Sequence, residues 1–172
     1  YLNTYPIAGT NAIMGMNGGY AGRNWDFRIT ESGKLFTRLL TADSQEMSLT
    51  GTTALPLSQW CHVAMTRSVR PDETGHFTVV GTLYINGLPC GTQTLVNTTG
   101  VPINDPAANV TIGGWGNNPW VVNGKMDEFR LSNVVRTFAT LGSCEMDFNQ
   151  NCSVDFADLF IFAENWLNFH PN

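Results

Sequence analysis

The chain has 172 residues, 42% of them hydrophobic and only 13% charged, with a formal net charge of −5. Its nine lysines and arginines are scattered rather than clustered, so they cannot neutralise a run of phosphates or hold an anionic membrane surface. No stretch of about 18 apolar residues occurs, which leaves no transmembrane helix to predict, and the length suits one domain with or without a small appendage.

From Tyr1 to about Thr140 the sequence reads as short strands separated by turn residues. The runs "NWDFRIT" and "KLFTRLL" are rich in residues that favour a pleated, half-buried surface, and they flank the turn Glu31 to Lys34. "WCHVAMTR", Trp60 to Arg67, alternates in polarity, and the polar loop "SVRPDETGH" follows it. "FTVVGTLYINGLPCGTQTLV" holds two strands around Asn86-Gly87, a hairpin signal because a type I′ turn needs φ > 0 at both central residues. "ANVTIGGW" and "GKMDEFRLS" supply two more strands. Short strands, many Gly, Asn and Thr, and no amphipathic helix over this span predict a mainly β chain, an antiparallel β-sandwich or jelly roll.

The helical period begins only after Val154. Phe156, Leu159, Phe160, Ala163, Trp166 and Leu167 fall within an arc of about 120° at roughly 100° per residue, with Asp158, Glu164 and Asn165 outside it. One helix is therefore predicted, its apolar face laid on the sandwich or on a partner chain.

Just before it, "MDFNQNCSVDFADLF" carries oxygen-bearing side chains at the spacing of a calcium loop, whose ligands occupy positions 1, 3, 5, 7, 9 and 12. With Asp147 at position 1, the ligands are Asp147, Asn149, Asn151, Ser153 through its carbonyl, Asp155 and Asp158. Acids decorating a helix N-terminus would account for Asp155 and Asp158 but not for the first three. Three carboxylates on one small loop repel one another, so folding of this segment is expected to depend on Ca2+.

Four cysteines, Cys61, Cys90, Cys144 and Cys152, show no C-x-x-C spacing, which argues against a zinc or thioredoxin-like site. They read either as two disulfides in an oxidising compartment or as four free thiols; the first reading predicts an extracellular, secreted or cell-surface protein. Glycosylation sequons begin at Asn97 and Asn109, and a third at Asn151 overlaps a calcium ligand, so sugar and metal would exclude each other there.

No catalytic grouping emerges. Asp127 and Glu128 are adjacent and so point to opposite faces of a strand, which rules out a retaining carboxylate pair. His62 reads as buried beside Trp60, His76 lies near the polar loop and His170 in the tail. In "GGWGNNPWVVNG", Trp115 and Trp120 stand beside Asn117 and Asn118, the composition of a sugar-stacking platform or of a plug for the end of the sandwich.

The segments "LSQWCHVAMTR", "GTLYINGLPCGT", "VTIGGWG" and "VVNGKMDEFRLSNVVRT" together resemble a laminin G-like domain of the concanavalin A type, covering roughly residues 1–137. The resemblance implies a jelly roll whose first strands are missing before Tyr1. The edge so exposed would be covered by further chain or by a strand from another copy. It also implies that Cys61 and Cys90 lie close enough for a bridge, and that Asp127 could join a calcium site on the rim of the sandwich. Residues 141–172 resemble one repeat of a type I dockerin, with two departures. Cys152 stands where the loop normally has Gly, a position that a Cys144–Cys152 bridge could hold, and one repeat is present instead of two.

The expected organisation is thus a laminin G-like domain over 1–140 and a dockerin-like calcium segment over 141–172. The expected role is a secreted, non-catalytic recognition or assembly module. Its expected partners are a glycan, an extracellular protein, a cohesin-like domain, or copies of itself through strand exchange. The alternative is an accessory region of a larger secreted polysaccharide-degrading enzyme.

Overall fold

The computed structural model describes residues 1–7, 10–17, 23–41, 43, 45–98, 109–114, 121–135 and 159–160. Eight strands follow in order: β1 (Thr10–Asn17), β2 (Arg23–Thr30), β3 (Lys34–Leu40), β4 (Glu46–Ala54), β5 (Val63–Pro71), β6 (Phe77–Ile85), β7 (Leu88–Thr98) and β8 (Val110–Ile112). They form a five-stranded sheet in the order β4-β3-β2-β1-β8 and a three-stranded sheet in the order β5-β6-β7, every pair antiparallel.

The period of two sends alternate side chains to opposite faces. Leu35, Thr37 and Leu39 of β3 are buried on one face, as are Met47, Leu49 and Gly51 of β4. They meet Leu83 and Val79 of β6 across the sandwich, in two core clusters. The larger cluster joins Leu2, Ile13, Phe27, Ile29, Leu35, Leu49, Leu55, Leu83 and Cys90; the smaller joins Leu39, Met47 and Val79. The architecture is an antiparallel β-sandwich of the jelly-roll kind, as expected.

The hairpin turns follow their chemistry. Asn86 (φ 51°) and Gly87 (φ 78°) both sit in the left-handed region, and Ile85 pairs with Leu88 across them. On one side the two sheets close through their edge strands β4 and β7. The Thr52 hydroxyl donates to the Cys90 carbonyl at 3.0 Å. A Cβ on Gly91 would lie 3.3 Å from both Leu49 Cδ1 and the Thr50 carbonyl oxygen, so the approach leaves room for little more than glycine.

On the outward face of β2 and β3, Asp26 is 2% exposed. Its carboxylate is ion-paired with Arg28, lies 3.6 Å from Arg38 Nε, and accepts from the Arg38 N–H at 3.2 Å. Burial pushes the Asp26 carboxyl above the usual carboxylate range, against the opposing pull of Arg28 and Arg38.

Several expectations change. β1 and β4 were not singled out in the sequence. β5 starts at Val63 rather than Trp60 and runs through Ser68–Pro71, read above as loop. "GKMDEFRLS" forms no strand: Leu2 bridges Gly124, and beyond Lys125 no described strand lies alongside. Glu128, at φ 52°, also interrupts the extended path. The Cys61–Cys90 bridge is absent, and both thiols are free. Cys61 leads into β5 and Cys90 lies on β7, with β6 between them. Two strand spacings come to roughly 9.5 Å, beyond the reach of about 7 Å between bridged Cα atoms. Both thiols pack instead as small apolar groups of the larger cluster.

Candidate functional site: an aromatic and amide surface

The link from β4 to β5 is held in place from two sides. Ser58 (φ 58°) donates its N–H to the Leu2 carbonyl at 2.8 Å. At the other end His62 and Asn86 grip each other: the His62 N–H donates to Asn86 Oδ1 at 2.8 Å and the Asn86 N–H to the His62 carbonyl at 2.8 Å. Between these fixed points Trp60 stands outward, 58% exposed. Its ring meets Tyr1 edge to face, with centroids 5.9 Å apart and planes at 62°. Lys125 Nζ lies 5.9 Å from the Tyr1 ring centroid.

Tyr1 is positioned by a short antiparallel ladder. The Lys125 N–H donates to the Tyr1 carbonyl at 2.8 Å, the Tyr1 nitrogen to the Lys125 carbonyl at 3.0 Å, and the Asn3 N–H to the Asn123 carbonyl at 2.9 Å. Gly124 lets the two chains meet, since a Cβ there would lie 2.0 Å from the Tyr1 carbonyl oxygen. Along the same ladder Asn3 Nδ2 donates to Asn123 Oδ1 at 3.2 Å and Asn123 Nδ2 to Thr4 Oγ1 at 2.9 Å, all of it exposed. An exposed indole braced by a second ring, near fixed amides and a hydroxyl, can stack on the apolar face of a pyranose while its hydroxyls find partners.

This surface corrects the reading of His62 as buried beside Trp60. His62 is exposed and so is Trp60, because β5 begins only at Val63 and residues 60–62 belong to the connection held by Asn86. The alternation of "WCHV" carried the opposite message, and the side-chain bond from Asn86 that decides the matter comes from 24 residues away.

Trp115, Trp120, Asn117 and Asn118 lie outside the described residues. The residues flanking them are bonded: the Val122 N–H donates to the Gly113 carbonyl at 3.1 Å, and the Gly113 N–H to the Ile13 carbonyl at 2.8 Å. The calcium set Asp147, Asn149, Asn151, Ser153, Asp155 and Asp158 lies outside the described residues too, as do Cys144, Cys152 and His170. Leu159 and Phe160 of the expected helix are helical and exposed. Asn109 is exposed, and Asn97 lies on β7.

Asp127 is exposed and accepts from the Glu128 N–H at 2.9 Å. Among the described residues no three His, Cys, Asp or Glu side chains converge. In the β5–β6 turn, Asp72 accepts from the Thr74 hydroxyl (2.7 Å), the Thr74 N–H (2.8 Å) and the His76 N–H (3.0 Å). The Thr74 hydroxyl bond above all holds its carboxyl below the usual range. His76 thus belongs to a turn clasp, with its Nδ1 2.7 Å from the Thr74 hydroxyl oxygen.

No helix among the described residues is long and apolar enough to cross a membrane. No curated protein and no solved structure matches the chain. A family model, described as the concanavalin A-like lectin/glucanases superfamily, matches residues 3–141, most of the chain and all eight strands. The chain belongs to that superfamily, through its laminin G-like family.

Proposed function

We propose that the protein is an extracellular recognition module that binds a glycan at the Tyr1–Trp60 end of the sandwich. The observation that carries this reading is Trp60, a large ring left 58% exposed on a backbone pinned at both ends, with Tyr1 and the Asn3, Asn123 and Thr4 side chains nearby. Membership of a superfamily named for lectins and glucanases supports it. In the sequence, Trp115 and Trp120 with Asn117 and Asn118 carry the same ring-and-amide composition and are further candidates for sugar contact.

In this reading residues 141–172 form a calcium-stabilised, dockerin-like segment with Asp147, Asn149, Asn151, Ser153, Asp155 and Asp158 as ligands. It would attach the module to a cohesin-like partner or to copies of itself. The chain is taken as non-catalytic. A second reading, an accessory region of a larger secreted polysaccharide-degrading enzyme, draws on the glucanase half of the superfamily's name.

The test is affinity electrophoresis of the whole chain through gels containing soluble β-glucan, xylan or mannan. At least one polymer should retard the wild type. Trp60→Ala should migrate as in a sugar-free gel while melting at the same temperature. A wild type that no polymer retards, or a Trp60→Ala variant still fully retarded, refutes glycan binding at this end.

A further inference from the structure

Beyond the Tyr1–Lys125 pairing the chain leaves the sandwich. Met126 still packs on the larger core cluster, but Asp127, Glu128, Phe129, Arg130 and Leu131 are all exposed, Phe129 by 44% and Leu131 by 71%. No described strand pairs with them. The Glu128 N–H is satisfied by the neighbouring Asp127 carboxylate at 2.9 Å, a local substitute for a ladder bond. Glu128 itself is held at φ 52°, a left-handed conformation that an L-residue with a long side chain adopts at a cost. The segment continues from the ladder at Gly124 and Lys125, departs from a strand path at Glu128, and has no strand partner among the described residues along the next five residues.

The residue order suits one partner in particular, a second copy of the same segment. A two-fold axis at Phe129 would run the two copies antiparallel, the only direction such an axis permits. Each residue then faces the one equally far on the other side of Phe129. Glu128 faces Arg130 of the second copy, and Arg130 faces its Glu128, so two opposite-charge cross-strand pairs form at once. Phe129 meets its own counterpart at the axis, and Asp127 stands opposite Leu131. Straightening the segment into a strand would also release Glu128 from its left-handed conformation.

We propose that residues 127–131 are a self-pairing edge through which two copies join across a two-fold axis at Phe129. The proposal deepens the assembly part of the function above and rests on it, while sugar binding at Trp60 is read independently. Five residues per copy bury little surface, so the association is weak and concentration-dependent.

The experiment is sedimentation equilibrium of the whole chain from about 5 μM to roughly 500 μM, a range set for a small, transient interface. The wild type should show a monomer–dimer equilibrium within that range. Arg130→Glu and Glu128→Arg each place like charges opposite one another twice and should weaken the dimer by about tenfold or more. The double variant E128R/R130E restores both opposite-charge pairs and should return the dimer to within about threefold of the wild type. All four proteins should show the same circular dichroism melt and the same retardation by polysaccharide, which separates loss of assembly from loss of recognition. A wild type that stays monomeric throughout overturns the proposal, as does a dimer indifferent to either single reversal or a double variant that fails to recover.

Discussion

Gly124 is where a missing side chain has the largest consequence. A methyl group there would have to displace the Tyr1 carbonyl oxygen, a backbone atom already bonded to the Lys125 N–H at 2.8 Å. Gly124→Ala should therefore cost about 1–3 kcal/mol by overpacking and loosen Tyr1 and Leu2 from the core. A thermal melt reads the loss; an unchanged midpoint would mean that the ladder does not hold the N-terminal residues. Asp72 makes a prediction with a definite sign. Its folded carboxyl is held below the usual range, so its contribution to stability is full above the unfolded value and disappears as pH falls through the depressed one. Urea denaturation should find wild type more stable than Asp72→Ala at neutral pH, with the two curves converging in acid. A gap that persists at the lowest pH would assign the effect to something other than ionisation. At this scale the sequence was only partly legible. The donors to Asp72, on Thr74 and His76, are near neighbours in sequence and could be read as turn chemistry, whereas the connection that carries Trp60 is held by Asn86, which no local pattern announces.

Among the elements, β6 is the central strand of the small sheet, and Leu83 and Val79 carry its contacts to the core. Leu83 is fully buried, so Leu83→Ala should cost about 2–5 kcal/mol, lost apolar burial plus the cavity left behind. Leu88, 59% exposed at the start of β7, should tolerate Ala to within about 0.5 kcal/mol. Chemical denaturation compares the two, and equal losses would contradict this division between core and surface. The β6–β7 hairpin was legible from sequence because its cause is local: Asn86-Gly87 can take the turn conformation and its neighbours alternate. β4 was less so, because its inward positions include Gly51, which carries no hydrophobic signal. The expectation of a strand over "GKMDEFRLS" failed for the complementary reason. Alternation marks a segment able to pair, while pairing requires a neighbour, and past Lys125 the described chain offers none.

For the molecule as a whole, the calcium reading of residues 147–158 makes a direct prediction. Adding Ca2+ should raise a thermal transition of the full chain, and Asp147→Ala or Asp158→Ala should abolish that increment. Identical melts in calcium and in chelator would remove the metal from the account. The strand order described above bears on a different matter, the timing of synthesis. Apart from β1 with β8, every described pairing joins consecutive strands, so each of the two meanders can close by itself soon after it leaves the ribosome. The first meander ends at Ala54, but β6 and β7, which cover its inner face, are complete only at Thr98. At about 5–20 residues per second, Leu35, Leu39, Met47 and Leu49 then face solvent for a few seconds on every nascent chain, a recurring opportunity for a chaperone to bind or for neighbouring chains to aggregate.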